Sequence, residues 1–128
     1  MSEFYRKETH RTPLIKGSIR KGEISIIGRS LPEDAKEFFL PFRDWLLELF
    51  VSDTKEINVY LEIEYFNTAT SKIIIDMLLS LEKLRVNKSV SVIWAYDEDD
   101  LEMEETGHDF VSLLGDMVTL QSKPFVPK

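Results

Sequence analysis

No cysteine occurs in this chain of 128 residues, which excludes a disulfide framework and any thiolate-ligated metal site. That absence is compatible with a reducing cytoplasm. Glycine is scarce, five in all, and no GxGxxG or P-loop pattern is present, so no loop that cradles phosphates is expected. GxSxG and HExxH are absent too, and neither His10 nor His108 has a serine or cysteine nucleophile pattern beside it. Catalysis is the weaker class of reading, and no catalytic residue, cofactor or resident metal is expected. Basic residues are outnumbered, 16 against 23 acidic, for a net charge of −7. Nucleic acids and anionic membranes ask for basic patches, so neither is an expected partner. No window approaches the roughly 18 consecutive apolar residues of a membrane span, and residues 1–12 hold no apolar core of a secretory signal. The protein is read as cytoplasmic, with no membrane insertion.

What is present describes one folded domain: 43% hydrophobic and 30% charged residues suit an ordinary globular core. Residues 1–12 read as a flexible tail, 13–121 as the domain and the proline-punctuated 122–128 as a second tail. Pro13 to Ile19 and Glu23 to Ile27 predict two strands joined around Lys21-Gly22 as a hairpin. Ser30-Leu31-Pro32-Glu33-Asp34 carries helix-start chemistry, and the helix after it presents Phe38, Phe39, Phe42, Trp45, Leu46, Leu49 and Phe50 to the core. Pro41 inside that run predicts a kink or an irregular first turn. Ile57 to Glu64 alternates apolar and polar residues, a half-buried strand. Ile74, Met77, Leu78, Leu81 and Leu84 then recur at helical spacing, up to about Val86-Asn87. Ser89 to Tyr96 reads as a central strand, apolar on both faces. An acidic loop, a short helix near His108 to Leu114 and a strand from Met117 to Leu120 complete the order β-β-α-β-α-β-α-β. That order predicts a single α/β domain with a mixed, mainly parallel sheet, an N-terminal antiparallel hairpin and helices packed on the sheet.

Between the alternating strand and the second helix lies Tyr65-Phe66-Asn67-Thr68-Ala69-Thr70-Ser71-Lys72. Hydroxyls and asparagine before a helix are ordinary capping vocabulary. Yet four polar residues in five positions (Asn67, Thr68, Thr70, Ser71) exceed what one cap needs, and a strict capping box is missing because Ser71 stands where Glu or Gln would. A first helical turn has unpaired N–H groups and a dipole that favours negative charge. A phosphate on one of these hydroxyls would therefore be stabilised where it sits. The pattern is that of a phosphorylation switch at the carboxyl end of a strand, where partner sites in such sheets cluster.

Asp97, Glu98, Asp99, Asp100, Glu102, Glu104 and Glu105 could in principle hold a hard cation. Counted from Asp97, however, the sixth and twelfth positions of a calcium loop are Glu102 and His108, not glycine and acid. A solvated acidic loop or a docking surface for a basic partner is the favoured reading. A small cation-binding module or metal-dependent enzyme built on residues 97–105 is the alternative function.

From about Pro13 to about Leu120 the chain resembles the SiaC family of regulatory phosphoproteins. The resemblance rests on Thr12-Pro13, on Pro41 ahead of Trp45-Leu46, and above all on Leu61-Glu62-Ile63-Glu64-Tyr65-Phe66-Asn67-Thr68. Trp94-Ala95-Tyr96-Asp97, the acids Glu98-Asp99-Asp100 and Gly107-His108-Asp109-Phe110 extend it. It is close enough to admit the family's name-giving member itself or a near relative. The resemblance implies a fold similar to the STAS, or anti-sigma-factor-antagonist, domain, phosphorylated on the threonine after Phe-Asn, here Thr68. It implies three partners: a serine/threonine kinase of the anti-sigma-factor type, a PP2C-type phosphatase, and a diguanylate cyclase that the unphosphorylated protein binds and activates, linking the switch to cyclic di-GMP, biofilm formation and aggregation. Other members often carry serines where this chain has Ala69 and Thr70. Tyr65, Phe66, Asn67, Thr70, Ser71, Asp99 and Asp100 are the candidate partner contacts.

Overall fold

Strand β4, Glu56–Phe66, shows how the alternation becomes architecture. Ile57, Val59, Leu61 and Ile63 are all buried, while Asn58 and Glu64 stay exposed. The computed structural model describes residues 2–125. In it β4 lies inside a six-stranded sheet whose spatial order follows the sequence. The other strands are β1 (Glu3–Arg6), β2 (Leu14–Ser18), β3 (Glu23–Ser30), β5 (Ser89–Asp97) and β6 (Val118–Lys123), and the helices are α1 (Ala35–Phe50), α2 (Thr68–Lys83) and α3 (Leu101–Leu114). β1–β2 and β2–β3 are antiparallel, and every later junction is parallel.

Three crossovers, each stepping to the next strand in the same direction, place the helices on one face by the right-handed rule. The opposite face is open: Asn58, Ser91, Ile93 and Thr119 are exposed. On that face of β5 Ser91 and Ile93 are exposed, Ile93 at 36%, while Ala95 is buried, so the second face of this central strand is covered in part. On that side the Tyr60 hydroxyl donates to Glu62 Oε1 at 2.6 Å, and Lys123 Nζ donates to the same oxygen at 3.0 Å and to the Tyr60 hydroxyl at 3.3 Å. Burial, then the Glu62 contact, holds the Tyr60 phenol above its ordinary 10.0. The Glu62 contact holds Lys123 above 10.5. Both pKa values rise on folding, so what this cluster contributes is complete below the ordinary values and is lost as pH climbs through the folded ones. Urea melts from about pH 9 to 11.5 should therefore converge for the wild type and a Tyr60→Phe/Lys123→Met variant, with the wild type showing the steeper alkaline loss.

The tail expected at 1–12 is in part a strand. β1 pairs with β2 along Glu3–Arg6, Phe4 packs on Phe42 and Trp45 with centroids 5.4 and 6.2 Å apart, and the Arg6 guanidinium lies 4.7 Å from the Phe38 ring centre. Four residues are too few for alternation to speak. At the other end β6 runs to Lys123, beyond the predicted boundary, and residues 126–128 of the expected C-terminal tail lie outside the described residues. α1 begins later than the sequence suggests: Asp34 caps it, accepting from the Glu37 N–H at 3.1 Å. Ser30 instead ends β3. The helix continues through Pro41, which is exposed, so the Glu37 carbonyl that loses its donor can turn to water. Phe39, Phe42, Trp45, Leu46 and Leu49 are buried as expected, with Phe38 and Phe50 half-buried.

α3 starts at Leu101, about two turns before the predicted His108. Met103, Gly107, Phe110 and Leu114 form its buried stripe, and the acids between them hide that period in the sequence. Gly107 has a packing reason: a Cβ there would lie 2.6 Å from both Leu120 Cδ2 and Trp94 Cδ1. Trp94 Nε1 donates to the Met103 carbonyl at 2.9 Å, which locks α3 down on β5.

Candidate functional site

Four parallel strands end along one edge of the sheet, at Ser30, Phe66, Asp97 and Lys123. The hydroxyl-rich turn and the acidic stretch both leave from that edge. β4 reaches it through a bulge: Gly28 pairs with Ile63 but Arg29 pairs with Tyr65, so Glu64 is the extra residue. A bulge of this kind re-aims the side chains after it. It is the physical reason that alternation fails at Tyr65-Phe66. Tyr65 is 52% exposed. Phe66 is half-buried and meets Trp94 edge-on at 6.2 Å, so much of this ring belongs to the core.

Asn67 is the N-cap of α2. Its side-chain oxygen accepts from the Thr70 N–H at 2.9 Å, its amide nitrogen donates to the Pro32 carbonyl at 3.3 Å, and its own N–H donates to the Ser30 carbonyl at 3.0 Å. The Ser71 N–H donates to the Asn67 carbonyl at 3.0 Å. The asparagine is fully engaged in structure.

The two threonines have opposite surroundings. Thr68, first residue of α2, is exposed, and among the described residues its hydroxyl has no hydrogen-bond partner. Thr70 is 0% exposed, and its hydroxyl lies 2.9 Å from the Ser30 hydroxyl and donates to the Ser30 carbonyl at 3.4 Å. As a partner contact Thr70 is therefore corrected: it offers no surface in this conformation. Ser71 is half-buried. Ser30, which ends β3, is a member of the site that sequence reasoning missed. The sequence offers no signal for it, because its partner lies 40 positions away.

The acidic stretch is not one loop. Asp97 ends β5 and accepts from the Asp99 N–H at 3.0 Å. Asp100 caps α3, accepting from Met103 at 3.1 Å, and Glu102, Glu104 and Glu105 ride on α3. Of the two acids proposed to meet a partner, Asp99 is exposed and Asp100 is half-buried and already employed. Among the described residues no three His, Asp or Glu side chains gather to hold a metal ion. Cation binding at 97–105 gains no support from this geometry.

The chain belongs to the SiaC family of regulatory phosphoproteins, whose family model matches residues 6–122. It is 30% identical over 111 residues to an uncharacterized protein of Pseudomonas aeruginosa (strain UCBPP-PA14), an alignment covering 86% of this chain and 88% of that one. Its fold matches the solved structure of SiaC of Pseudomonas aeruginosa with a TM-score of 0.87 at 27% identity, covering 96% of this chain and all of the other. It also matches, with a TM-score of 0.88 at 26% identity, a chain in the crystal structure of the Pseudomonas aeruginosa diguanylate cyclase SiaD in complex with its activator SiaC, covering 94% of this chain and 99% of that one. These identities make the chain a relative of SiaC and not SiaC itself. Among the described residues no helix is long and apolar enough to cross a membrane.

Proposed function

We propose that this protein is a non-enzymatic, cytoplasmic phosphoswitch whose unphosphorylated form binds and activates a diguanylate cyclase, and so controls cyclic di-GMP signalling, biofilm formation and aggregation. Thr68 is the acceptor, a serine/threonine kinase of the anti-sigma-factor type modifies it, and a PP2C-type phosphatase reverses the change. Family membership supports the class of activity, and the solved complex of a relative with its cyclase supports the partner. The observation that carries the choice of residue is the contrast between two threonines: Thr68 is exposed and its hydroxyl unbonded among the described residues, while Thr70 is buried and its hydroxyl bonded. At the first position of α2 a phosphate would face the amides of Thr68 and Ala69, which have no intrahelical partners, at the positive end of the helix dipole. Tyr65, Ser71 and Asp99 are the contacts retained for the partner surface.

The test is incubation with the kinase and ATP, followed by phosphopeptide mapping. One phosphate on Thr68 is expected, with none on Thr70 or Ser71. Modification of Ser71 with Thr68 untouched would overturn the assignment.

A further inference from the structure

Ser30 and Thr70 are, among the described residues, the two polar side chains left with no exposed surface. Ser30 closes β3 and pairs in register with Phe66, the last residue of β4. Thr70 sits in the first turn of α2. Their hydroxyls lie 2.9 Å apart, and the Thr70 hydroxyl also reaches the Ser30 carbonyl at 3.4 Å. The Asn67 N–H donates to that same carbonyl at 3.0 Å. The turn that carries Thr68 is therefore pinned on both sides, through Asn67 before it and Thr70 after it.

We infer that the Ser30–Thr70 hydroxyl pair is a positioning clamp for phosphotransfer, holding the first turn of α2 so that the Thr68 hydroxyl meets the kinase in one orientation; this rests on Thr68 being the acceptor. Stability alone does not call for two hydroxyls here, because apolar groups of the same shape on both sides can be nearly neutral. What the hydroxyls add is direction. Dispersion lets a packed helix slide by fractions of an ångström, whereas paired donors and acceptors fix distance and angle. Phosphotransfer is sensitive to that placement. The Thr68 oxygen bonds to the γ-phosphorus of ATP, the bond from that phosphorus to the β–γ bridging oxygen breaks, ADP leaves, and the hydroxyl proton passes to a base on the kinase. Attacking and leaving oxygens must lie roughly in line, and a misplacement of about 1 Å can cost about 100-fold in rate.

The experiment crosses stability against kinetics. Thr70→Val keeps the shape of the side chain and strands the Ser30 hydroxyl, so its melting temperature should fall. Adding Ser30→Ala removes the stranded group and should restore most of that fall. Thr70→Ser keeps the hydroxyl and loses a methyl, so it should be less stable than the wild type yet still clamped. Phosphorylation at Thr68 should follow the hydroxyls and not the melting temperature. The double variant is expected to show kcat lower by about tenfold or more with KM within about twofold, while Thr70→Ser keeps a kcat near wild type. Hydrogen exchange at the Thr70 and Ser71 amides, faster in the double variant, reports the loosened turn without the kinase. A kcat that recovers with the melting temperature in the double variant, or that falls with it in Thr70→Ser, would overturn the clamp. Phosphate mapped to another residue in the wild-type protein would overturn the acceptor assignment itself, and is seen before any variant is measured.

Discussion

Replacing Thr68 with aspartate is expected to move stability and binding in opposite directions. In the free protein the new carboxylate sits in the first turn of α2, where negative charge stabilises a helix by about 0.3–1 kcal/mol, so the melting temperature should rise slightly. Thr68 is exposed, and among the described residues its hydroxyl has no hydrogen bond to lose. In the proposed complex with the cyclase the same charge would have to shed water at the interface, and an uncompensated charge there costs several kcal/mol. A single carboxylate carries less charge than a phosphate at roughly −1.5 to −2. Affinity should therefore drop by about 100-fold for the aspartate and by more for phospho-Thr68. Thr68→Ala should bind the cyclase like the wild type, accept no phosphate and leave cyclase activity insensitive to the kinase. Calorimetric titration of the cyclase with the four forms decides it. Tight binding by the aspartate and phosphorylated forms, with loss of binding by the alanine form, would reverse the polarity of the switch.

The sequence announced those parts of the molecule whose cause is local. Ile57 to Ile63 gave a strand because side chains alternate every residue, and Ile74 to Leu81 a helix because its stripe returns every three or four. The hydroxyl-rich turn stood out because caps and helix dipoles act within a few residues. Parts whose cause is distant stayed hidden. Ser30 looked like a helix start, since its hydroxyl partner at Thr70 is set by the pairing of β3 with β4. The acids at 102–105 looked like a loop, since the stripe of Met103, Gly107 and Phe110 includes a glycine that only the approach of Trp94 and Leu120 explains. β1 was lost because its anchor, Phe4 on Phe42 and Trp45, lies about forty residues along the chain. Within the hydroxyl-rich turn the sequence ranked Thr68 first through resemblance and through its place at the entrance to the helix. Burial adds the contrast with Thr70, which has no exposed surface.

Truncating Tyr65 is expected to remove more binding energy than any change to the acidic stretch. Tyr65 is 52% exposed, three residues before the exposed Thr68, at a bulge that turns it out of the strand's alternation. Aromatic anchors that become desolvated dominate interfaces, with truncations costing about 2 kcal/mol or more, or about 30-fold in affinity. Tyr65→Ala should thus weaken cyclase activation while leaving the melting temperature near that of the wild type. Phe66 serves as the internal contrast. Its contact with Trp94 means that Phe66→Ala opens the core and should lower stability by about 2–4 kcal/mol. The acids require substitutions chosen for their structural roles. Asp99→Asn removes an exposed charge, but at position 100 asparagine is needed so that the cap on α3 survives. The Asp99→Asn/Asp100→Asn protein should fold normally and bind the cyclase with an altered association rate and a flatter salt dependence, its dissociation rate little changed, because rim charges steer more than they hold. Stopped-flow association and dissociation rates, read beside thermal melts, separate these outcomes. A Tyr65→Ala protein that melts far below the wild type yet binds with full affinity per folded molecule would assign the ring to the core, and would move the interface elsewhere along the edge that carries Thr68.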